Sequence, residues 1–439
     1  MTLAALRADA RACLDAALAA VDPATLVNAR FRRRDDGLVL MDASGREVSR
    51  HSGPVLVVGA GKAALAMGRA AATAAGDACA GGRLIVPYGG EGACPGGVRV
   101  ATGRHPIPDE AGAAATAALL DAVARADATT LVVVVLSGGA SALLVAPAPG
   151  ISLADKQQVT AALLAAGAPI DVLNLVRRHC SRVKGGGLAR TAARAAAVWA
   201  LLLSDVVGDD PAVIASGPVA ADVGTHADAV AALARWLGPS DVPAAIARHL
   251  ARGTAGTAED TVKPGDPVLA RVQSVVIGDN RTAVAAAAAA AAARGHSVEV
   301  LPEALVGDAA AAGRTLGRRV RTLPPGAALV AGGETTVRVA RGIGGRCQHL
   351  ALAAAIELAG TPAVLLAAGT DGVDGPTDAA GACIDGDTVA RARAGGWDAA
   401  AALAATDSHP LLAATGDLVR TGPTGTNVAD VVVALRPAW

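Results

Sequence analysis

The sequence is poor in aromatic residues and has no excess charge of either sign. Aromatic side chains make up 1% of the 439 residues, whereas 52% are hydrophobic, so aliphatic side chains supply most of the apolar surface. Lys and Arg together number 39, Asp and Glu together number 39, and the formal net charge is zero. A chain without excess positive charge is not expected to coat nucleic acid or an anionic membrane. We therefore expect neither as a partner.

Paired cysteines and membrane-spanning segments are also lacking. The six cysteines form no C-x-x-C pair, which argues against a zinc ribbon or a disulfide framework and predicts a reduced, cytoplasmic location. Arg7, Asp9, Arg11 and Asp15 interrupt the apolar N-terminus, which is typical of an amphipathic helix and not of a signal peptide. The longest uncharged run, 128–154, is broken by glycines and prolines, so we do not expect it to cross a membrane.

Lysine is rare, because only four of the 39 Lys and Arg residues are lysines, which leaves 39 − 4 = 35 arginines. Where arginine is used almost everywhere else, a lysine indicates a place that needs a compact point charge. Lys62 in GAGKAA and Lys184 in RVKGGG lie beside glycines and are the candidates. We interpret Lys156 and Lys263 as drift without a functional constraint.

Short apolar runs alternate with longer alanine-rich stretches along most of the chain. This alternation predicts an α/β fold: two Rossmann-like domains with mostly parallel sheets and an interdomain active-site cleft. The predicted strands are 55–58, 83–86, 131–136, 199–203, 272–277, 298–301, 328–331, 335–339, 364–367 and 431–435, and the clearest predicted helices are 63–75, 111–126, 153–166, 227–237 and 283–293.

The segment 238–267 contains GPSDVP, RGTAGTAED and KPGDP without a sustained apolar strand, as expected at a domain boundary. We predict an N-terminal domain over 1–240 and a C-terminal domain over 241–439. Residues 1–44 are predicted to be helical and to pack on either domain. Because parallel α/β sheets bind ligands beyond the carboxyl ends of their strands, motifs that directly follow a strand are the candidate sites.

The first such motif, VLVVGAGKAALAMGRA, predicts a strand, a glycine turn and a helix. Gly59 and Gly61 allow close approach of the backbone to an anion at the helix N-terminus. The dinucleotide fingerprint also requires an acidic residue at the end of the next strand, but 86–88 reads Val-Pro-Tyr, and no Walker A motif is present. We interpret Lys62 as a glycine-turn lysine aimed at a phosphate. The alternative is a structural turn with a solvated lysine.

The second motif, LVVVVLSGGASALL, predicts a buried strand followed by a loop of small residues. Ser137, Gly138, Gly139 and Ser141 offer backbone amides and hydroxyls that suit an anion-binding nest. The alternative is a tight turn with Ser141 as a helix cap.

Two further motifs offer a cation and a carboxylate. Lys184 lies in the basic segment 174–189, which could supply charge to a polyphosphate or could be a solvated helix ending in a glycine cap. Asp205 follows the strand predicted at 199–203, where it could accept a hydroxyl proton or hold a metal.

The C-terminal part adds three acidic residues and one arginine. Glu334 follows GG at a strand end, and Arg346 in GIGGR is suited to clamp a carboxylate or a transferring phosphoryl group. Asp371 and Asp374 lie in a glycine-rich loop, where they could bind substrate hydroxyls or Mg²⁺, or could be ordinary turn aspartates. A Cys–His dyad, a Ser-His-Asp triad and metal-ligand histidine spacing are not found in the sequence.

Together these motifs resemble the type II glycerate kinase family, whose C-terminal part is the MOFRL domain. The resemblance covers most of the chain from residue 55 onward. The matching segments, in family order, are GAGKAA, GRHPIPDEAG, LSGGASALL, NLVRRHCSRVKGGGLA, SDVVGDDPAVIASGP, GDNRTA, GGETTV, GIGGR, GTDGVDGPTDAAGA and TGPTGTNVAD. The resemblance implies phosphorylation of D-glycerate to 2-phosphoglycerate with ATP and Mg²⁺.

The resemblance implies catalytic roles for Lys62, Asp205 and Arg346. The ATP phosphates are expected at 59–62 and 137–141, the acceptor at Glu334, Asp371 and Asp374, and a homodimer is the expected assembly. The chain departs from the family pattern at four positions, namely Ala140, Gly187, Cys347 and His349, where the family has Gly, Arg, Asn and Glu.

Two alternatives from other classes remain open. Members of this family are also labelled hydroxypyruvate reductases, so an NAD(P)H-dependent reductase is the first. The missing acidic residue for the ribose argues against it. The second is a non-catalytic sensor of sugar acids or nucleotides.

Overall fold

The computed structural model describes residues 2–338 and 341–438. Its strands are β1 Phe31–Arg34, β2 Gly37–Met41, β3 Glu47–His51, β4 Val55–Ala60, β5 Cys79–Pro87, β6 Val98–Gly103, β7 Leu131–Leu136, β8 Ala197–Leu203, β9 Val272–Gly278, β10 Ser297–Val300, β11 Ala327–Gly333, β12 Val364–Gly369, β13 Gly381–Asp385, β14 Leu418–Val419 and β15 Asp430–Leu435.

The helices cover most of the alanine-rich stretches. They are α1 Leu3–Ala20, α2 Pro23–Arg30, α3 Ala64–Ala75, α4 Glu110–Ala124, α5 Ala140–Leu143, α6 Leu153–Ala165, α7 Ile170–His179, α8 Gly187–Thr191, α9 His226–Trp236, α10 Ala244–Thr254, α11 Asn280–Ala293, α12 Ala309–Arg321, α13 Arg346–Leu358, α14 Thr388–Ala394, α15 Ala399–Ala404 and α16 Ser408–Ala414.

The chain forms two compact units whose boundaries differ from the predicted ones. The first unit is Pro23–Ile277, and the C-terminal unit combines the chain up to Asp22 with the chain from Gly278 onward. The division falls after residue 240 because β9 is part of the first unit's sheet. Helix α1 belongs to the C-terminal unit, where Arg7 forms ion pairs with buried carboxylates. Helical structure in residues 1–44 ends at α2, since β1 and β2 follow it.

The first unit contains a six-stranded sheet in the order β6-β5-β4-β7-β8-β9. The pairs β6–β5, β5–β4, β4–β7 and β7–β8 are parallel, as predicted. Every residue of β7 is buried, which fits its run of Leu and Val, because β-branched side chains pack well in a strand covered on both faces. Chain order reverses between β4 and β7, and this topological switch point is where doubly wound sheets bind ligands.

A small antiparallel sheet, β1-β2-β3, accompanies the large one. Phe31 at its start packs edge-on against Trp199 of β8, with ring centroids 6.1 Å apart. Both aromatic rings are fully buried, so two of the chain's few aromatic residues join this small sheet to the main one.

The C-terminal unit contains a second six-stranded sheet, in the order β10-β11-β15-β12-β13-β14. Only its β10–β11 pair is parallel, and the other four pairs are antiparallel. The prediction of mostly parallel strands is therefore wrong for this sheet, because β15 runs opposite to β11 and β12, and β13 runs opposite to β12 and β14. The strand predicted at 335–339 extends beyond the described residues, and its described part forms one isolated bridge, Asp308↔Thr336.

Helices α12 and α13 pack very closely in this unit because glycines face the neighbouring backbone. A Cβ on Gly313 would lie 2.2 Å from the carbonyl oxygen of Leu350, and one on Gly317 would lie 3.0 Å from that of Ala354. This packing buries most of α13 and fixes its first residue, Arg346, at the edge of the sheet.

Across the described ranges, no single helix is both long and apolar enough to cross a membrane. Helices α1 and α2 would reach that length and composition only when taken together as a bent pair.

Candidate active site

The loops that follow β4 and β7 are hydrogen-bonded to each other at the switch point. The amide of Lys62 donates to the carbonyl oxygen of Gly138 at 2.9 Å, and the amide of Ser137 donates to the carbonyl oxygen of Ala60 at 3.2 Å. The amide of Ala63 donates to the hydroxyl oxygen of Ser137 at 3.0 Å. Two segments predicted separately as phosphate loops therefore form one joined structure.

The two glycines before Lys62 are required by this joint. Gly61 has a φ of +132°, and a Cβ there would lie 2.1 Å from the hydroxyl oxygen of Ser137. A Cβ on Gly59 would lie 2.0 Å from the carbonyl oxygen of Val135. The close approach that we predicted for an anion is made by β7 and its loop, so contact of these glycines with a nucleotide stays a prediction.

The side chain of Lys62 runs past the second loop. Gly139, with a φ of +87°, leaves space between two side chains: a Cβ there would lie 3.2 Å from Cδ2 of His105 and 3.6 Å from Cγ of Lys62. The lysine, the histidine and the small-residue loop are thus neighbours. Sequence reasoning singled out the lysine and the loop, whereas His105 was seen only as part of GRHPIPDEAG.

A cavity of about 860 Å³ opens beside this loop within the first unit. Asp205, two residues beyond the end of β8, is among its lining residues. The other predicted site residues in the lining are Ser137, Gly138, Gly139, Ser141 and Lys184. Three exposed apolar side chains, Ile107, Leu164 and Ile170, also line it. The lining of the cavity therefore contains both polar groups and exposed apolar side chains.

Lys184 supports the small-residue loop from the protein interior. Its ammonium group is buried and donates to the carbonyl oxygen of Ser141 at 2.8 Å and to that of Ala215 at 3.5 Å. Burial, reinforced by the nearby positive charges of Lys156 and Arg177, holds the pKa of Lys184 well below its usual range. This arrangement positions the loop, and direct contact of Lys184 with phosphate stays a prediction.

Lys156 is also buried, so our interpretation of it as unconstrained is wrong. Its ammonium group donates to the carbonyl oxygens of Cys180, at 2.8 Å, and Arg177, at 3.2 Å, near the C-terminal end of α7. Burial lowers the pKa of Lys156 to about 8. Cations are favourable at this end of a helix, where carbonyl groups lack partners within the helix.

Sequence reasoning missed a hydroxyl network behind the loop. The hydroxyl groups of Ser141 and Ser216 lie 3.0 Å apart, and Ser216 donates to Oδ1 of Asn174 at 3.3 Å. Ala215 and Ser216 have φ values of +54° and +62°, which non-glycine residues rarely adopt. Strain of this kind concentrates at functional sites, so it is a signal that backbone geometry gives and a sequence does not.

In the C-terminal unit, Arg346 is held by two carboxylates. Its Nε and Nη2 donate to the two oxygens of Asp430 at 2.7 and 2.8 Å, and its Nη1 lies 2.8 Å from an oxygen of Glu334. These anions raise the pKa of Arg346, although burial opposes them. Asp430 occupies the bidentate position of Arg346 that we predicted for a carboxylate or a transferring phosphoryl group. Sequence reasoning missed Asp430. The signal that could have found it is an acidic residue at the start of the last apolar strand.

Asp371 lies at the same edge of the sheet. A Cβ on Gly369, the last residue of β12, would lie 3.3 Å from Oδ1 of Asp371 and 3.5 Å from Oδ1 of Asp430. Glu334 directly follows β11, so three neighbouring strand ends carry carboxylates at this edge, and two of these, Asp430 and Glu334, are paired with Arg346.

Asp374, the third predicted substrate contact, is only 3% exposed. Its carboxylate accepts hydrogen bonds from the amides of Cys347 and Gln348, at 3.1 and 2.8 Å, and therefore caps α13. Burial raises its pKa to about 6. The structure gives Asp374 this capping role, and its contact with substrate stays a prediction. Cys347 and His349 are also buried, in the first turn of α13.

The order β6-β5-β4-β7-β8-β9 and the joined loops at its switch point define a doubly wound α/β protein with a candidate anion site. Residues 327–430 match the MOFRL family, and residues 9–251 match a domain of unknown function, DUF4147. The chain belongs to the MOFRL-containing glycerate kinase family, as the relatives below show.

The D-glycerate 2-kinase of Thermotoga maritima is 38% identical over 390 residues, which cover 87% of this chain and 90% of that protein. An Agrobacterium vitis protein named "Putative hydroxypyruvate reductase" is 40% identical over 400 residues, 87% of each chain. The crystal structure of the Thermotoga maritima glycerate kinase superposes with a TM-score of 0.84 at 35% identity, and covers 98% of this chain and 99% of that one.

Proposed function

We propose that the protein catalyses ATP-dependent phosphorylation of D-glycerate at its 2-hydroxyl group, giving 2-phosphoglycerate. Membership of the glycerate kinase family supports the activity. The observation that carries the proposal is the joint between Lys62 and the loop 137–141 at the switch point, since phosphoryl transfer depends on fixed positive charge and positioned amides around the phosphates.

In this proposal Lys62 neutralises charge on the phosphates of ATP, and the amides of the loop 137–141 position them. Lys184 acts as a positioning residue, because its ammonium group is bonded to the carbonyl oxygen of Ser141 behind the loop. The apolar side chains of Ile107, Leu164 and Ile170 are the proposed contacts of the nucleobase, since small-molecule sites are largely apolar with a few polar groups that fix orientation.

Asp205 orients or deprotonates the 2-hydroxyl group of the acceptor, which makes its oxygen the attacking group. Asp205 is also the acidic residue among the described residues that line the cavity. It is therefore a suitable ligand for Mg²⁺, which proteins bind through one or two carboxylates and the phosphates of the substrate. Bound Mg²⁺ would supply charge neutralisation between phosphate oxygens.

Arg346, Glu334 and Asp371 are the proposed acceptor residues of the C-terminal unit. The guanidinium group is held on one edge by Asp430, and its Nη1 is paired with Glu334, whose side chain is 44% exposed. An acceptor carboxylate would displace Glu334 and leave Asp430 in place, because the exposed pair is the easier one to break.

The test is a coupled assay of ADP release with ATP, Mg²⁺ and D-glycerate, with the position of phosphate in the product read by NMR. Asp205→Asn is expected to remove most activity. Asp210→Asn is the matched control, since Asp210 is exposed and caps a turn through the amide of Ala212. If no ADP is formed from ATP when D-glycerate is present, the proposal is rejected.

The second candidate is an NAD(P)H-dependent hydroxypyruvate reductase. The strand order of the first sheet favours it, because dinucleotide-binding folds share that order. The end of β5 argues against the reductase, since Pro87 and Tyr88 stand where an acidic residue would bind the ribose. Oxidation of NADH or NADPH by hydroxypyruvate, followed by absorbance, separates the two activities in one preparation.

A further inference from the structure

A second cavity in the first unit, of about 380 Å³, contains a cluster of side chains of the types that bind metals. His179 ends α7, His226 begins α9, and Asp260 lies in the segment after α10. One nitrogen or oxygen atom of each lies within 4.8 Å of those of the others. The three residues are far apart in sequence, which is why spacing rules could not detect them.

Both histidines have ring nitrogens that are buried without a hydrogen-bond partner among the described residues. Nδ1 of His179 lies 2.9 Å from the carbonyl oxygen of Leu175 and therefore carries a proton, so Nε2 of the neutral ring is a free acceptor. In the described part of the chain, this Nε2, both ring nitrogens of His226 and Oδ2 of Asp222 are buried without a hydrogen-bond partner. Buried polar atoms are normally satisfied, and a neutral imidazole has one acceptor nitrogen, so each histidine can offer one lone pair to a bound cation.

Two of the three distances between ligand atoms match a tetrahedral metal site, and the third, between the two imidazole nitrogens, is within 4.8 Å. Zn²⁺ with bonds of about 2.0–2.1 Å places adjacent ligand atoms about 3.3 Å apart. Oδ1 of Asp260 lies 3.3 Å from Nε2 of His179 and 3.2 Å from Nδ1 of His226. We propose that His179, His226 and Asp260 bind a divalent transition metal, with Zn²⁺ as the best match to two imidazoles and a carboxylate.

The fourth position has a candidate ligand that is already oriented. Oδ2 of Asp222 lies 3.8 Å from Nε2 of His179, while its Oδ1 is 3.1 Å from Nε of Arg178 and accepts from the amide of Gly224 at 3.1 Å. Such supporting contacts fix the orientation of metal ligands. Water from the cavity is the other candidate.

Two neighbours shape the site. Gly253 provides room for the imidazole of His226, because a Cβ there would lie 2.2 Å from the ring. The ammonium group of Lys263 lies 3.2 Å from Oδ1 of Asp260 and also bonds to the hydroxyl oxygen of Thr261 and the carbonyl oxygen of Gly224. When the metal binds Oδ1 of Asp260, the hydroxyl group of Thr261 and the carbonyl group of Gly224 still hold the ammonium group of Lys263.

The bound metal links α7, α9 and the segment containing Asp260. Lys184, which holds the candidate phosphate loop through Ser141, lies five residues after His179 and lines both cavities. The proposed metal is therefore a structural link within the first unit, and its role does not depend on the proposed kinase activity.

The experiment uses the full chain treated with EDTA and dialysed, without nucleotide or Mg²⁺. Zn²⁺ alone is titrated by calorimetry, and thermal unfolding is followed with and without Zn²⁺. We expect one Zn²⁺ per chain and a rise in Tm. His226→Gln and Asp260→Asn are expected to weaken binding at least ten-fold and to abolish the Zn²⁺-dependent rise. His51→Gln, in the same unit but outside the cluster, is expected to behave like the unchanged chain.

Two results would overturn the proposal. One is a folded protein whose Tm does not respond to Zn²⁺, as expected if protonated histidines and aspartates form an ion-pair network. The other is equal Zn²⁺ affinity in Asp260→Asn and the unchanged chain. Asp260 is partly exposed, so its substitution provides a folded variant if His226→Gln does not fold.

Discussion

The amide of Lys62 donates a hydrogen bond of 2.9 Å to the carbonyl oxygen of Gly138, which joins the loops after two neighbouring parallel strands. The position of the lysine is therefore set by a segment that lies far along the chain. Because β4 and β7 flank the switch point, the joint holds a cation and a small-residue loop where a doubly wound sheet binds its ligand.

Lys62→Ala is expected to lower kcat by about 100-fold or more, because removal of one group that stabilises charge in a transition state has effects of this size. Thermal unfolding is expected to stay unchanged, since the backbone bond to Gly138 does not need the side chain. The matched control is Arg69→Ala, which removes an exposed cation from α3, the helix that begins just after Lys62. Equal kcat values for Lys62→Ala and the unchanged enzyme would remove Lys62 from the mechanism.

Gly61→Ala is expected to destabilise the protein more than Gly89→Ala does. Both glycines have positive φ values, +132° and +83°, but an added Cβ meets the hydroxyl oxygen of Ser137 only at Gly61 and has open space at Gly89. Backbone strain of this kind costs about 1–3 kcal/mol, and the clash adds to it at Gly61. Urea unfolding measures both free energies. Equal losses of unfolding free energy in the two variants would mean that the loops after β4 and β7 can move apart without a cost in free energy.

The strands around the switch point could be predicted because apolar runs and glycine turns are local signals. The predicted strand 131–136 agrees with β7 at both ends, and the loop after it was singled out correctly as a turn into a helix. That the two glycines before Lys62 face β7 and its loop could not be predicted, because a glycine pattern does not say which neighbour comes close.

The missed features are all long-range contacts. Direction in the second sheet depends on where β15 inserts, which a run of valines does not encode. Asp430 is separated by 84 positions from Arg346, and Lys156 by 24 positions from the carbonyl group of Cys180. The histidine cluster likewise joins residues from three separate segments.

Lys156→Met is expected to flatten the pH dependence of stability between about pH 8 and 10.5. The pKa of Lys156 is about 8 in the folded protein and near its usual value of 10.5 when unfolded. Within this range the unfolded chain binds more protons, so the free energy of unfolding rises with pH, by at most about 1.4 kcal/mol per pH unit. The difference in urea unfolding between the variant and the unchanged chain at each pH isolates this lysine. Parallel curves would contradict the low pKa.

The pair of Arg346 and Asp430 is expected to couple strongly in a double-mutant cycle. Arg346→Lys keeps the charge but loses the two-pronged geometry, and Asp430→Asn loses the charge, so the coupling energy is expected to be about 1–3 kcal/mol. Arg420 and Asp378 form a matched pair in the same unit, with side chains 53% and 63% exposed, whose coupling should be close to zero because solvent screens it. Urea unfolding of the single and double variants gives both cycles. Equal coupling in the two pairs would mean that the bonds to Asp430 do not fix Arg346, and the proposed retention of Asp430 during acceptor binding would then lose its basis.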